Sequence, residues 1–372
     1  MYVPFFEPSF SKEEVTAVTK VIREGWVSQG KEIEEFERKL ARFLGVKYVI
    51  TVNSGTAALE IAQRALGIEK KEVITTVTSV APTTNAIIHS GNKPIFVDVS
   101  IKDYNIDTRQ VEKHITKNTA VIMPVHLYGK PCNMDEIMEI SEKYNITVIE
   151  DCAQSLGAKW KEKKTGTFGK IGCFSLNITK LITTGQGGFI ATNDKKVALR
   201  ASIIRNYGLV AKPNNFYNYD LFGHNFKLTN FQAALGLVQL KKIHHFIRAR
   251  RRIAREIISS LENEKNIQVP CENKNEFISY FCVPILLKKQ NRRNKVCNLL
   301  YKKGIEAFSI FKPICAQPYF EKLYGKTDFN NLYPNATYVS DNGFVVGCYP
   351  GMSEEKLKYL IKGVKEALYE VM

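Results

Sequence analysis

The sequence predicts an α/β fold: a mostly parallel, seven-stranded sheet sandwiched by helices, followed by a smaller α+β unit. Three observations predict it. Seven short runs rich in Val, Ile and Thr alternate with segments of helical spacing across the first two-thirds of the chain. Most of these runs are apolar throughout rather than alternating, the mark of strands buried on both faces. After the segment ending near residue 260 the regular alternation stops, and a few strands and helices follow. A chain of 372 residues is long enough for two units. The expected division is a large domain over 1–245 and a small one over 246–372.

The first strand covers 48–52, then enters the small turn Asn53-Ser54-Gly55-Thr56 and a helix over 56–66. Strands over 72–76 and 94–98 flank a helix over 80–89. A strand over 120–124 leads to a helix over 134–144. The next strand, 146–150, runs into Asp151, and strands over 172–175 and 188–192 complete the set. Alternation of this kind builds a parallel sheet with helices on both faces. From 229 to 260 the pattern reads as one long helical segment, small and apolar from Phe231 to Leu240 and basic later. The basic part is expected to leave the core. A strand over 277–287 comes next, then a helix over 291–303 stopped by Gly304. A last helix starts after Ser353, with Glu354 and Glu355 placing negative charge in its first turn.

Hydrophobic content of 44% and charged content of 24% suit a globular protein. The amino-terminal residues lack the basic and apolar regions of an export signal. The longest mostly apolar stretch, Ile278 to Leu287, is too short to span a bilayer. The expected location is therefore the cytoplasm, with no membrane partner. Eight cysteines show no C-x-x-C spacing, so they are expected as free thiols rather than a metal site. A net charge of +16 favours an anionic ligand such as a nucleotide sugar, and would equally serve nucleic acid. The densest basic cluster, Arg248 to Arg252, reads as a solvated helix face. No stacking aromatics or base-reading motifs accompany it, so a nucleic-acid partner is not expected.

The chemistry concentrates in three places. The turn at Ser54-Gly55-Thr56 leaves backbone N–H groups free at the positive end of a helix, where phosphate binds. The plainer reading is an ordinary βα turn with a Ser cap. Asp151 stands at a strand end, facing the crevice in which open α/β sheets bind ligands, and Gln154 follows three residues later. Taken alone, Asp151 could be a helix cap or an ion-pair partner. Lys180 comes after the strand over 172–175, just before Thr184-Gly185-Gln186-Gly187-Gly188. One lysine in a basic protein means little. A lysine, a buried acid and a phosphate turn in this order point to pyridoxal phosphate (PLP). Lys180 can form a Schiff base, Asp151 can keep the pyridine nitrogen protonated, and Ser175 can donate to the phosphate.

Five segments together resemble the DegT/DnrJ/EryC1/StrS family of sugar aminotransferases, PLP enzymes of fold type I, essentially end to end. They are Gly25-Trp26-Val27-Ser28-Gln29-Gly30, Asn53 to Leu59, Glu150-Asp151-Cys152-Ala153-Gln154-Ser155, Phe174-Ser175 with Thr179-Lys180, and Gly223-His224-Asn225-Phe226-Lys227-Leu228. The resemblance implies a homodimer with composite active sites. It implies that Lys180 bonds the cofactor and shuttles the proton, that Asp151 pairs with the ring nitrogen, and that Gln154 reaches the ring oxygen. Gly55, Thr56, Ser175 and, across the dimer, Asn225 would hold the phosphate. Trp26, Ser28, Phe311 and Lys312 are the substrate contacts it suggests. The implied reaction takes an amino group from L-glutamate, through pyridoxamine phosphate, to C4 of a nucleotide-linked 4-keto-6-deoxyhexose. The alternatives are amination at C3 and sugar dehydration. Relatives that dehydrate carry His where this chain has Lys180. Val80 stands where many members have an aromatic to stack on the cofactor, Pro313-Ile314-Cys315 lacks a His often found there, and Phe308 replaces a basic residue.

Overall fold

The computed structural model describes residues 1–211 and 217–371. Two helices that the sequence reading did not assign come first: α1 (Lys12–Glu24) and α2 (Lys31–Leu44). Ser11 and Glu14 form a reciprocal capping box at the start of α1. The alternating part follows as β1 (Tyr48–Val52), α3 (Gly55–Ala65), β2 (Glu72–Thr76), α4 (Ala81–His89), β3 (Lys93–Val97), β4 (Thr119–Met123), α5 (Met134–Tyr144), β5 (Thr147–Asp151), β6 (Ile171–Ser175), β7 (Gly188–Thr192) and α6 (Lys195–Arg205). Each expected strand and helix of this region is present within a residue or so of its expected limits.

The seven strands form one sheet in the order β1-β7-β6-β5-β4-β2-β3. Neighbouring pairs are parallel, except that β7 runs antiparallel to both β1 and β6. Helices α3, α4 and α6 pack on one set of strand side chains (Val52, Val73, Val121, Ile149, Ile171). Helix α2 and later helices pack on another set (Val49, Phe174, Phe189). Burial on both faces explains the uniformly apolar runs.

The stretch 229–260 is two helices, α7 (Asn230–Lys241) and α8 (Ile243–Ser260). The break falls at Lys242 (φ −89°, ψ −4°), whose ammonium is held by the buried Glu14 carboxylate at 2.7 Å. The expectation that the basic part leaves the core is corrected here, although Arg248 and Arg252 do lie on an exposed face. Arg250 and Arg251 are buried, because their guanidinium groups donate to the carbonyls of residues 278–281 and, for Arg251, to Glu272. Ile253, Ala254 and Ile257 of α8 enter a second core.

That core lies against an antiparallel sheet of β8 (Ile267–Gln268), β9 (Cys282–Leu287), β10 (Ala307–Ser309) and β11 (Gly343–Gly347), in the order β8-β9-β11-β10. Helices α9 (Arg293–Lys302) and α10 (Glu354–Val371) cover it. Val3 packs there too, paired with Ile305. The single strand expected over 277–287 is interrupted: Glu276–Phe277 pairs with Lys159–Trp160, and β9 begins only at Cys282. Between them Tyr280 takes a left-handed backbone (φ 52°), which a continuous strand cannot contain. No helix among the described residues is long and apolar enough to cross a membrane.

Candidate active site

A cavity of about 350 Å³ opens at the carboxyl end of the sheet. Its wall brings together Gly55 and Thr56 from the start of α3, Val80 and Thr83 from the start of α4, Asp151 from β5, Gln154, Ser175 from β6, and Lys180. Residues as distant in sequence as Gly55 and Lys180 meet here because β1, β5, β6 and β7 are neighbours in the sheet.

At one end is the turn into α3. Ser54 caps the helix, its hydroxyl accepting from Ala57 N–H at 3.1 Å, so Gly55 and Thr56 are the first helical residues. Their N–H groups have no partner within the helix. The turn rests on two close approaches that exclude a side chain. A Cβ at Gly55 would lie 2.9 Å from Ser175 Cβ, and one at Gly188 would lie 2.5 Å from the Ser54 carbonyl carbon. Gly188 pairs with both Ser175 and Val52, so it is the point where three strands close behind the turn.

In the middle is Asp151, buried at 3% exposure. Burial pushes its carboxyl pKa up; the Ala153 N–H, the Thr83 hydroxyl and the charge of Lys180 oppose that rise. Thr83 Oγ1 donates to Oδ2 at 2.8 Å and Ala153 N–H to Oδ1 at 3.0 Å. A carboxylate accepts about four hydrogen bonds, which leaves capacity for a donor from the cavity. Gln154 is oriented by its neighbour: Tyr128 N–H donates to its Oε1 at 2.8 Å. The end left to face the cavity is therefore the donor Nε2.

Lys180 projects from a tight turn. The Asn177 side chain accepts from Thr179 N–H and the Thr179 hydroxyl, and the Asn177 carbonyl accepts from Lys180 N–H at 2.9 Å. Its Nζ lies 4.5 Å from the centre of the Phe281 ring. Its pKa falls from the ordinary 10.5 to about 8. Burial is the largest cause, Asp151 and Cys282 push it back up, and Arg250 presses it further down. A lysine in this state gives up its proton near neutrality, as a nucleophilic amine must.

Other expected residues lie elsewhere. Asn225 is exposed and outside this cavity wall; its carbonyl accepts from Asn53 Nδ2. Trp26 and Ser28 are exposed on a loop whose carbonyls accept from Asn230. Phe311 stacks on Tyr128 at 6.1 Å, one contact behind Gln154. Lys312 is exposed, with Nζ 5.9 Å from the Phe329 ring centre. Val80 presents only an aliphatic side chain to the cavity. Sequence reasoning missed Thr83, Tyr128, Phe281 and Arg250. Only Thr83, shortly after a strand end, carried any local signal.

A further cluster, His126, Glu150 and Cys152, brings three metal-type ligand atoms together. Its hydrogen bonds account for it without a metal. Glu150 accepts from the N–H groups of Gly166, Phe168 and Gly169 at 2.7–2.8 Å, and His126 Nε2 lies 3.1 Å from it. Cys132 N–H points at His126 Nδ1, so Nε2 carries the proton. Burial pushes the Cys152 thiol pKa up, away from the thiolate that metals prefer. All eight cysteines are free, and six are buried.

The donor set fits PLP at each end: free helix N–H groups and Ser175 for the phosphate, Asp151 for the ring nitrogen, Gln154 for the ring oxygen, and a deprotonatable lysine for the aldehyde. Comparison with known proteins agrees. The sequence pattern of the DegT/DnrJ/EryC1/StrS aminotransferase family matches residues 8–365. GDP-perosamine synthase of Escherichia coli O157:H7 is 37% identical over 370 residues, covering 98% of each chain. Among solved structures, Helicobacter pylori PseC, an aminotransferase involved in the biosynthesis of pseudoaminic acid, superposes with a TM-score of 0.94 at 27% identity over the whole of both chains. The PLP form of a putative sugar aminotransferase from Streptococcus pneumoniae gives a TM-score of 0.95 at 25% identity, again over both whole chains.

Proposed function

The chain belongs to the DegT/DnrJ/EryC1/StrS aminotransferase family, and from that premise we propose that it moves an amino group from L-glutamate to C4 of a 4-keto-6-deoxyhexose carried on a nucleoside diphosphate. It is a PLP-dependent sugar aminotransferase of deoxyamino-sugar biosynthesis. The observation that carries the reading is Lys180, with its lowered pKa, sharing one cavity with Asp151 and the turn at Gly55.

When bound, PLP supplies an electron sink for the carbanion formed at the amino-bearing carbon. The protein's side chains supply the rest. Gly55, Thr56 and Ser175 anchor the phosphate, with the partner subunit's Asn225 completing that end in a homodimer. Asp151, oriented by Thr83 and Ala153, keeps the ring nitrogen protonated. Gln154 Nε2 donates to the ring oxygen. Lys180 Nζ would hold the cofactor at rest and then carry a proton between the substrate carbon and the cofactor carbon, which flank the transferred nitrogen, as general base and acid. Trp26, Ser28, Phe311 and Lys312 are proposed to approach the sugar nucleotide, and the cytoplasm is the proposed location. Support for C4 comes from the stretch Leu181 to Gly188, which resembles that of members that aminate C4 rather than C3, and from a relative named as a perosamine synthase.

The test is an absorbance spectrum of the PLP-loaded protein. The visible band of lysine-bound cofactor should bleach with L-glutamate and return on adding a GDP- or UDP-linked 4-keto-6-deoxyhexose. NMR of the product should place the new nitrogen at C4. Nitrogen at C3, or loss of oxygen without nitrogen, would overturn the assignment. Lys180→Ala should abolish turnover; wild-type-like turnover would sink the mechanism.

A further inference from the structure

We propose that Arg250 is a positioning residue for Lys180: it clamps the backbone at Tyr280 and Phe281, sets the Phe281 ring over the lysine amine, and leaves its own unpaired charge beside it. The inference rests on Lys180 being the cofactor-bonding lysine.

Arg250 lies on α8, far from the strands that build the cavity. It is 4% exposed. Its Nη1 donates to the carbonyls of Phe281 at 2.8 Å and Tyr280 at 3.3 Å, while its Nε is buried with no partner among the described residues. No carboxylate within ion-pairing reach neutralises it among those residues. Glu7 shares a small cavity with Arg250 and Lys180, but Glu7 is paired with Lys356 at 3.1 Å. A buried guanidinium with no carboxylate partner is costly to keep charged. A cation of that cost beside a lysine that must be neutral has an obvious use.

The clamped segment also reaches the cavity on a second route. Phe281 N–H donates to the Tyr128 carbonyl at 2.9 Å, and Tyr128 N–H holds Gln154 Oε1. One guanidinium thus braces the backbone behind both the lysine cap and the ring-oxygen donor. Tyr280 and Tyr128 both adopt left-handed backbones (φ 52° and 58°), which need such bracing.

The groups facing Lys180 act in opposite directions. The Phe281 ring face attracts a cation, and Asp151 on β5 does the same. Burial and Arg250 disfavour one, and Cys282 on β9 acts with Asp151. The net direction is towards the free amine, set first by burial, with the Arg250 charge adding to it.

The test is acetylation of Lys180 in the full-length apoprotein, read by mass spectrometry against pH. Arg250→Gln should raise the midpoint by about half a pH unit or more, whereas Arg250→Lys, which keeps a charge, should hold it near the wild-type value. An unmoved midpoint in folded Arg250→Gln overturns the proposal, because a purely structural arginine would lower the melting temperature and leave the midpoint alone. Should Arg250→Gln not fold, Phe281→Ala carries the test with Arg250 in place. It must raise the high-pH plateau rate of acetylation several-fold, and an unchanged rate refutes the cap. The visible band of lysine-bound cofactor is recorded on the wild type in parallel. A band with an unmoved midpoint defeats this inference alone. No band removes the reading of Lys180, and the inference with it.

Discussion

Glu150→Gln should destabilise this protein far more than a single isosteric change at an ordinary site. Glu150 is wholly buried, and four donors converge on its two oxygens. Gly166 N–H and His126 Nε2–H meet Oε2, while Phe168 N–H and Gly169 N–H meet Oε1. A glutamine keeps one acceptor oxygen and replaces the other with an NH2 group. Whichever way the amide turns, two donors then face a donor. His126 cannot relieve this by switching tautomer, since its Nδ1 already accepts from Cys132 N–H at 3.0 Å. Each orphaned buried donor costs about 1–3 kcal/mol, so the expected loss is roughly 2–6 kcal/mol. For 372 residues, an unfolding entropy of about 2.1 cal/mol/K per residue converts this to a Tm drop of roughly 3–8 °C. The assay is thermal melting of the apoprotein, with Glu34→Gln on the exposed face of α2 as control. A Glu150→Gln Tm within about 1 °C of wild type would show that the network does not have the donor pattern described.

Two other predictions follow from the cavity. Lys180 has a folded pKa of about 8 against the ordinary 10.5. Its burial therefore destabilises the apoprotein fully below pH 8, and the penalty fades up to 10.5, where the unfolded chain holds a proton the folded chain has released. Lys180→Met should raise the apoprotein Tm at pH 7, with a gain that shrinks towards pH 10; a pH-independent gain would contradict the lowered pKa. Gly55→Ala would set a Cβ 2.9 Å from Ser175 Cβ and 3.3 Å from its Cα. Overpacking of about 1–3 kcal/mol there should weaken PLP binding roughly 5- to 150-fold. Absorbance titration of the apoprotein measures it, and an unchanged Kd would mean the phosphate is held elsewhere.

The amino-acid order by itself determined the sheet and most of the cavity wall. The strands were legible because burial on both faces leaves uniformly apolar runs. Gly55, Asp151, Gln154, Ser175 and Lys180 were legible because each stands at or shortly after a strand end, and strand ends of a parallel sheet share one edge. Short-range pattern thus carried long-range information. Contacts made by folding back carried none. Thr83 meets Asp151 across 68 positions because β2 and β5 flank the same strand, β4. Arg250 looked like one more solvated cation in a basic run, and only the return of the chain at Tyr280 and Phe281 buried it. Phe281 reached Lys180 because the segment before β9 turns left-handed at Tyr280, a choice of backbone that no periodicity records. Composition and spacing decide which faces must be buried; which particular side chain then closes over the reactive lysine is decided by packing between units distant in sequence.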